Sequence, residues 1–525
     1  MLARVASDGL DLFVDLHRLD PNARSAPPVC GRYHRRVAGA SPYDAVLYPA
    51  RAFIQTHPDR LATLATLFGL SPAPPARCRV LELGCGAGGN LLPMAAGLPG
   101  STFVGIDTSR RSIERAQAVT QSLGLTNITF EEISLDAFEA PAGSFDYVIA
   151  HGVFSWIADS VRDALLALSA SVLSEHGVAY VSYNALPGGH GRQALREMLA
   201  YHVRELDGPE EKMAAARGFL RLLSAAREAD PELAKSFGAE ARRLADAVDG
   251  LFFHDTLAEH NRAFYFHEFT ALAAAHGLQY LSEAEFSEMQ VDALPEQLQK
   301  ALLTISDPLA REQYLDFLKE RMFRQTLLCH AGAEIDRTPR PERLAGLAAS
   351  APLRWTADET SGRLSFAGPG GAHLTTDHPL VTAALQQLGN AWPAAVPVQE
   401  LAPDGQLETV CDALLRCFAA NLVRLHVHPP AVSVVAPARP QVSALARLEA
   451  AQGEMLTTVR HTALRLDDEL GRRLVTLLDG TRDRAALLEE LAPGAAMDRD
   501  ELAAALEQSL AQLARAGMLL PVGAA

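Results

Sequence analysis

From Cys78 onward, short apolar runs alternate with helical stretches along the chain. The runs are CRVLELG, STFVGID, ITFEEIS, FDYVIAH and GVAYVSYN, with amphipathic segments such as SRRSIERAQAVTQSLG between them. This β-α-β-α order predicts a parallel sheet covered by helices. Ahead of it, QTHPDRLATLATLFGL reads as a helix. Thr56 stands at its N-cap, Pro58 in its first turn, Asp59 at the positive helix end, and Leu61, Leu64, Leu67 and Phe68 on one face.

After residue 190 the strand pattern stops, and a charged, helical stretch (REMLAYHVRELDGPEEKMAAARGFLRLLSAAREAD) reads as an insertion within or beside the α/β unit. FYFHEFTALAAAHGLQYLSEAEF then predicts a further helix and strand, followed by helical text to about residue 335. The stretch RTPRPER marks a boundary. Beyond it, HPLVTAALQQLGNAWPAAVPVQELA with CDALLRCFAANLVRLHVHP loosely parallels LDDELGRRLVTLLDGTRDRAALLEELA with LEQSLAQLARAGMLLP. Each copy reads helix, turn, helix, linker, helix, short strand, the pattern of a winged-helix-like α+β module. The expected units are therefore a leader at 1–40, either unstructured or the product of a start placed too early, an α/β unit at 41–190, a helical insertion at 191–253, a return to the α/β unit with a helical middle region at 254–335, and a C-terminal domain at 340–525.

Composition narrows the partners. The 525 residues hold 47 basic and 63 acidic side chains, a formal charge of −16, which repels nucleic acid and anionic lipid. Residues 341–525 alone carry 15 arginines, no lysine and 21 acids, so the winged-helix-like region is not expected to bind DNA. No window of 18 apolar residues exists, and Asp8, Asp11, Asp15 and Asp20 interrupt any signal-peptide core, so neither membrane insertion nor export is expected. The six cysteines are scattered with no spacing suited to zinc, which fits reduced thiols in a cytoplasmic protein without a metal site.

The chemistry-bearing stretch is Leu81-Glu82-Leu83-Gly84-Cys85-Gly86-Ala87-Gly88-Gly89-Asn90, at a strand-to-helix junction. Glycines at 84 and 86 allow a tight turn and close approach of a ligand to the backbone, beside the free N–H groups of a helix start. Asp107 ends the next apolar strand, where a carboxylate accepts from ribose hydroxyls. Gly84, Gly86 and Gly89 also spell the dinucleotide pattern G-x-G-x-x-G. Glu82 decides between the two: an acid before this turn opposes a pyrophosphate but suits the ammonium and sulfonium of S-adenosylmethionine.

E-L-G-C-G-x-G-x-N, the strand-end Asp107 and FDYVIAHGVFSWI resemble the class I S-adenosylmethionine-dependent methyltransferases over residues 78–185. QTHPDRL, AHGVFSW, YNALPGG, YFHEF with HGLQYL, and FRQTLL further resemble a bacterial group typified by rickettsial protein-lysine methyltransferases. That group joins a Rossmann-like methyltransferase sheet to a methyltransferase regulatory domain and a C-terminal winged-helix-like region. The resemblance implies that Glu82, Gly84, Gly86 and Asn90 line the methionine end of the cofactor and Asp107 its ribose. It puts Ser134, Leu135 and Asp136 at the adenine edge, with either Leu135 packing on the ring or Asp136 reaching its amino group. His151 and Gly152 would form the floor beneath the sulfonium.

For a lysine acceptor, an apolar pocket favours the neutral amine and aromatic faces hold the cation. Trp156, Phe154 and Tyr183 suit such a pocket. Trp156 stands either against substrate or as a hydrophobic plug. Tyr183 and Asn184 either hydrogen-bond the amine or satisfy the turn, and His151 is either a base or a wall residue. Tyr43 and Tyr48 are candidates for a lid over the cofactor, or for simple packing. His267 and Glu268 diverge on a helix and read as structural; Arg321 and Arg324 read as partners of nearby acids in preference to a substrate carboxylate. Three functions follow. The first is a protein-lysine methyltransferase with a protein or peptide substrate, the second a small-molecule O- or N-methyltransferase whose accessory parts shape the pocket or form a homodimer, and the third a non-catalytic S-adenosylmethionine sensor that binds peptides.

Overall fold

The computed structural model describes residues 48–232, 237–292, 294–357, 363–403, 405–494 and 497–523. The expected leader at 1–40 and Tyr43 lie outside the described residues.

Seven strands form the central sheet: β1 (Arg79–Leu83), β2 (Thr102–Asp107), β3 (Ile128–Glu132), β4 (Phe145–Ala150), β5 (Leu173–Asn184), β6 (Leu278–Glu283) and β7 (Phe323–His330). Their order is β3-β2-β1-β4-β5-β7-β6. The first five are mutually parallel, and β7 runs antiparallel to both of its neighbours. Strand order reverses between β1 and β4, which opens a crevice at the carboxyl ends of these strands, the ligand position of open α/β sheets. At the opposite edge, Asp146 fixes the β1–β4 register by accepting from the Arg79 backbone N–H (2.9 Å) and pairing with its guanidinium (2.8 Å).

Alternate strand residues feed two cores, as the period of two requires. Val80, Tyr147, Ile149, Val178 and Tyr180 face Leu61 and Leu64 of α1 (Pro58–Leu67) and Phe68 at its C-cap. Leu81, Leu83, Val148, Ala179, Val181 and Tyr183 face the other way, toward α4 (Asp159–Val172) and α8 (Phe266–Ala275). Between them in the chain come α2 (Leu91–Gly97), α3 (Arg110–Ser122), and the inserted α5 (His190–His202), α6 (Pro209–Ala229) and α7 (Gly238–Ala245), which share a separate core around Leu199, Leu220 and Phe252.

Two local expectations need correction. Thr56 does not cap α1: His57 does, its Nδ1 accepting the Asp59 N–H at 3.2 Å, while the Thr56 side chain is buried and turned elsewhere. The helical reading to 335 holds only for α9 (Glu296–Leu303) and α10 (Pro308–Lys319). Residues 323–330 are instead β7, inserted between β5 and β6, where pairing on both sides satisfies its backbone.

RTPRPER begins a new topology but not a new core. Asp336 N–H donates to Phe68 O (2.8 Å) and Arg343 Nη1 to Leu67 O (2.6 Å), which staples this stretch to the end of α1. Leu344, Leu385 and Phe418 then join the core shared with α1. This first C-terminal part holds a three-stranded sheet of β9 (Arg354–Ala357), β10 (Leu364–Ala367) and β11 (His373–Thr376), and the small sheet β12-β8-β13 of β8 (Ala348–Ser350), β12 (Val396–Pro397) and β13 (Arg424–His426), with α11 (Pro379–Ala391) and α12 (Leu407–Ala419). It has a single 3-10 turn (Val398–Leu401) where the parallel with the second copy expects a helix. The second part has its own core and holds α13 (Ala444–Gln452), the hairpin of β14 (Met455–Thr457) and β15 (Ala463–Arg465), and α14 (Glu469–Leu477), α15 (Arg484–Leu491) and α16 (Arg499–Arg515). Among the described residues, no helix is long and apolar enough to cross a membrane.

Candidate active site

β1 leads straight into the glycine turn. Gly84 and Cys85 donate their N–H groups to Ile106 O at 2.8 and 3.0 Å, so the turn continues the β1–β2 pairing past the strand end. Asp107 then closes it: Oδ2 accepts the Gly86 N–H at 2.8 Å and Oδ1 the Ser109 N–H at 2.8 Å. Gly84 and Gly86 have φ of +74° and +53°, a region that disfavours a side chain. At Gly86 a Cβ would meet nothing within 4 Å, and the same is true at Gly152 after β4. Space for a ligand therefore exists above both turns.

Glu82 points from β1 to the α1 side of the sheet and is 3% exposed. Its Oε1 accepts from Asn90 Nδ2 at 2.7 Å, while Oε2 is buried with no partner. Burial pushes its carboxyl up to about 8, against the Asn90 hydrogen bond and with a further push from the Asp107 charge. A buried carboxyl oxygen left without a partner calls for a cationic donor. The ammonium of S-adenosylmethionine is such a group, so the residues present fit this cofactor.

Asn90 is held from four directions. Its Oδ1 accepts the Phe53 N–H at 3.0 Å, which fixes the orientation of the amide, and Nδ2 lies 2.9 Å from Thr56 Oγ1. The fourth partner is His461 Nε2, 2.9 Å from Oδ1, from the C-terminal hairpin. The glycine motif points to none of Phe53, Thr56 and His461; for Thr56 the available signal is its place in QTHPD immediately ahead of α1.

His151, on the same face of the sheet as Glu82, has Nδ1 at 2.9 Å from the Tyr180 hydroxyl, and its ring lies 4.0 Å from that of Phe53. Burial draws its imidazole down to about 4, so it is neutral at ordinary pH. Ser182 Oγ accepts the Gly152 N–H at 2.8 Å, fixing the turn after β4. Ser134, Leu135 and Asp136 form a turn beyond β3, with Leu135 against the apolar cluster behind the sheet and Asp136 exposed, hydrogen-bonded to Ser134 Oγ.

The acceptor-side residues separate. Asn184 ends β5, buried, with Nδ2 donating to Asn261 Oδ1 at 3.1 Å, and lines a small pocket with Arg192, Gln193, Arg196, Asn261 and Met322. Trp156 follows β4 with its indole N–H buried and without a partner. Tyr183 does not join them: it is fully buried on the opposite face, stacked on Phe269 at 4.1 Å with Phe154 and Phe264 edge-on. Phe154 is held in the same cluster. Tyr48 is exposed and lies near His254 at 6.1 Å between ring centroids. His267 is bonded to Gln313, and Glu268 caps α8 through the Tyr265 N–H. Arg324 is buried among Glu283 (2.6 Å), Asp316 (2.8 Å) and Glu312 (3.0 Å), and Arg321 pairs with Asp316 at 3.1 Å.

Comparison with known proteins gives three family matches: a "Methyltransferase domain" at residues 80–177, a "Predicted methyltransferase regulatory domain" at 249–330, and a "PKMT, C-terminal winged helix domain" at 438–511. Protein RP028 of Rickettsia prowazekii is 32% identical over 228 residues, 43% of this chain and 91% of that protein. Protein RP789 of the same organism is 39% identical over 302 residues, 57% of this chain, and the match spans 55% of its length. Among solved structures, PKMT2 from Rickettsia typhi, also solved in complex with AdoHcy, has a TM-score of 0.80 at 24% identity, over 90% of this chain and 100% of that one.

Proposed function

The chain belongs to the class I S-adenosylmethionine-dependent methyltransferases that carry a regulatory domain and a PKMT winged helix; with S-adenosylmethionine as its cofactor, we propose that it methylates lysine side chains of a polypeptide. The observation that carries this reading is the extent of the likeness to PKMT2, a designation for a protein-lysine methyltransferase. It covers 90% of the chain and so includes the accessory regions, beyond the methyltransferase domain that many unrelated enzymes share.

S-adenosylmethionine supplies a methyl group already activated on a sulfonium, so alignment and desolvation are the tasks left to the protein. In this reading Glu82 and Asn90 receive the charged methionine end, and Asp107 holds the ribose while bracing the glycine turn. Ser134, Leu135 and Asp136 border the adenine. His151 and Gly152 form the wall near the reacting carbon.

His151 serves there as a wall and not as a base. A histidine whose conjugate acid lies at about 4 would take a proton from an ordinary lysine ammonium only at a cost of about 9 kcal/mol. Neutral amine is instead favoured by Arg192 and Arg196, which line the same pocket as Asn184 and disfavour a further cation there. Asn184 commits its Nδ2 to Asn261, which leaves its carbonyl oxygen to accept an amine N–H and orient the lone pair.

The test is incubation with methyl-labelled S-adenosylmethionine and a lysate of the native host, with Asp107→Ala as control. Label on lysines of a few proteins, located by peptide mass spectrometry and lost in the variant, is the expected result. Label confined to small molecules would replace this reading with a small-molecule methyltransferase, and cofactor binding without transfer with a sensor.

A further inference from the structure

The C-terminal hairpin brings one side chain into the cofactor turn. Thr458 and Thr462 close it, with Thr458 N–H donating to Thr462 O at 2.8 Å, and His461 at its tip takes φ of +58°, unusual for a residue with a side chain. Neighbouring Arg460 fixes the tip from outside: it is 5% exposed, donates to Pro393 O at 2.6 Å and lies 4.0 Å over the Trp392 ring. His461 is itself 4% exposed, and its ring sits 5.1 Å from that of His57 at the N-cap of α1.

The direction of the key hydrogen bond follows from its neighbours. Asn90 Oδ1 already accepts the Phe53 N–H, so it is an acceptor toward His461 as well, and His461 must donate from Nε2. Burial keeps this imidazole neutral, with its pKa well below the usual value, which makes the proton-bearing Nε2 tautomer the one present.

We propose that His461 is a positioning residue of the cofactor site: through Asn90 it holds Glu82 in the geometry that receives the cationic end of S-adenosylmethionine, so the winged-helix unit is a working part of that site. The proposal rests on the assignment of Glu82 and Asn90 to the cofactor's methionine end. It makes cofactor binding and hairpin order reciprocal, because a ligand that prefers the held Asn90 must stabilise whatever holds it.

Two measurements on the full chain test it. The first is AdoHcy affinity by titration calorimetry for His461→Phe, which keeps an aromatic ring but no donor, and His461→Gln, which keeps a donor. Each is also made in an Asn90→Ala background. His461→Phe is expected to weaken AdoHcy about tenfold, His461→Gln to recover most of that loss, and His461→Phe to add nothing once Asn90 is gone. An unchanged affinity for His461→Phe, or an effect that persists undiminished in Asn90→Ala, overturns the proposal. If Glu82→Ala and Asn90→Ala both bind AdoHcy normally, the underlying assignment has failed instead. The second measurement needs no variant: hydrogen exchange of the wild-type protein should slow at residues 455–465 when AdoHcy is added, and no change there also overturns the proposal.

Discussion

Glu82 carries a proton in the free protein at neutral pH and must lose it when a cation binds beside it. With its carboxyl at about 8 in the ligand-free structure, about nine-tenths of the molecules are protonated at pH 7. The free ligand's α-amino group stands beside a carboxylate, which holds it above the range of a peptide N-terminus, so it is fully charged at that pH. Binding as an ion pair therefore releases about 0.9 proton net at pH 7. Affinity should rise about ninefold between pH 6 and 7 and level off above pH 8, where Glu82 is already ionised in the free protein. Calorimetric titration of AdoHcy in two buffers of different ionisation enthalpy reads the proton count directly, and a pH series reads the slope. Glu82→Gln should bind more weakly at pH 8, release no proton and show a flat profile from pH 6 to 7. A wild-type affinity independent of pH over that interval, or the same slope in Glu82→Gln, would refute the reasoning. The same linkage has a stability sign. For a carboxyl raised on folding, the contribution is fully present below its unfolded value and is lost as pH rises toward 8, by up to about 5 kcal/mol. AdoHcy should accordingly protect the fold against heat more strongly at pH 8 than at pH 6.

Three other perturbations separate folding from binding. Gly86→Ala places a methyl in open space at positive φ, so unfolding free energy should drop by only about 1–2 kcal/mol while AdoHcy affinity falls by about 100-fold or more. Gly84→Ala, whose methyl would lie 2.6 Å from Val153 Cγ2, should damage both, as melting curves alongside calorimetry would show. Arg324→Met leaves Glu283, Glu312 and Asp316 buried without their shared cation, and chemical denaturation at pH 7 should register a loss of about 3–5 kcal/mol. His57 falls to about 4 on folding, so the unfolded chain binds the extra proton, and stability should decline as pH drops from about 6.5 toward 4, by up to about 3 kcal/mol for this group. His57→Asn keeps an N-cap acceptor and should flatten that part of the profile in denaturation midpoints.

What the sequence made legible is what local pattern encodes. Five parallel strands stand where apolar runs alternate with helices, and the glycine turn with Asp107 is one continuous strand-turn-helix-strand unit. β7 escaped because RMFRQTLL has too short an apolar run to distinguish helix from strand. Its pairing with β5 and β6 is decided by segments more than 40 residues away in the chain. Tyr183 is a different kind of miss, since adjacent strand residues point to opposite faces. Once Tyr180 and Ser182 face the α1 side, Asn184 follows them and Tyr183 cannot, a consequence of parity that was available from the spacing alone.

Asn90 marks the limit of such reading. Its place in the motif is plain, but the groups that orient it are Phe53 and Thr56 ahead of α1 and a histidine 371 residues downstream. No periodicity links His461 to the glycine turn, and the hairpin that carries it reads as an ordinary turn of TVRHT. The connection exists because the two C-terminal parts pack where α1 covers the sheet. Asp59 there accepts from the His428 N–H and pairs with His426 at 2.7 Å, and Ser350 in turn contacts both His426 and Arg460. This buried polar chain joins the helix that borders the cofactor turn to the strands and hairpin of the C-terminal region. Since buried polar groups are costly wherever one partner is missing, displacing the hairpin would leave Asn90, Arg460 and Ser350 each short of a bond. Loss of the C-terminal region should therefore be felt at the cofactor turn before it is felt in the sheet.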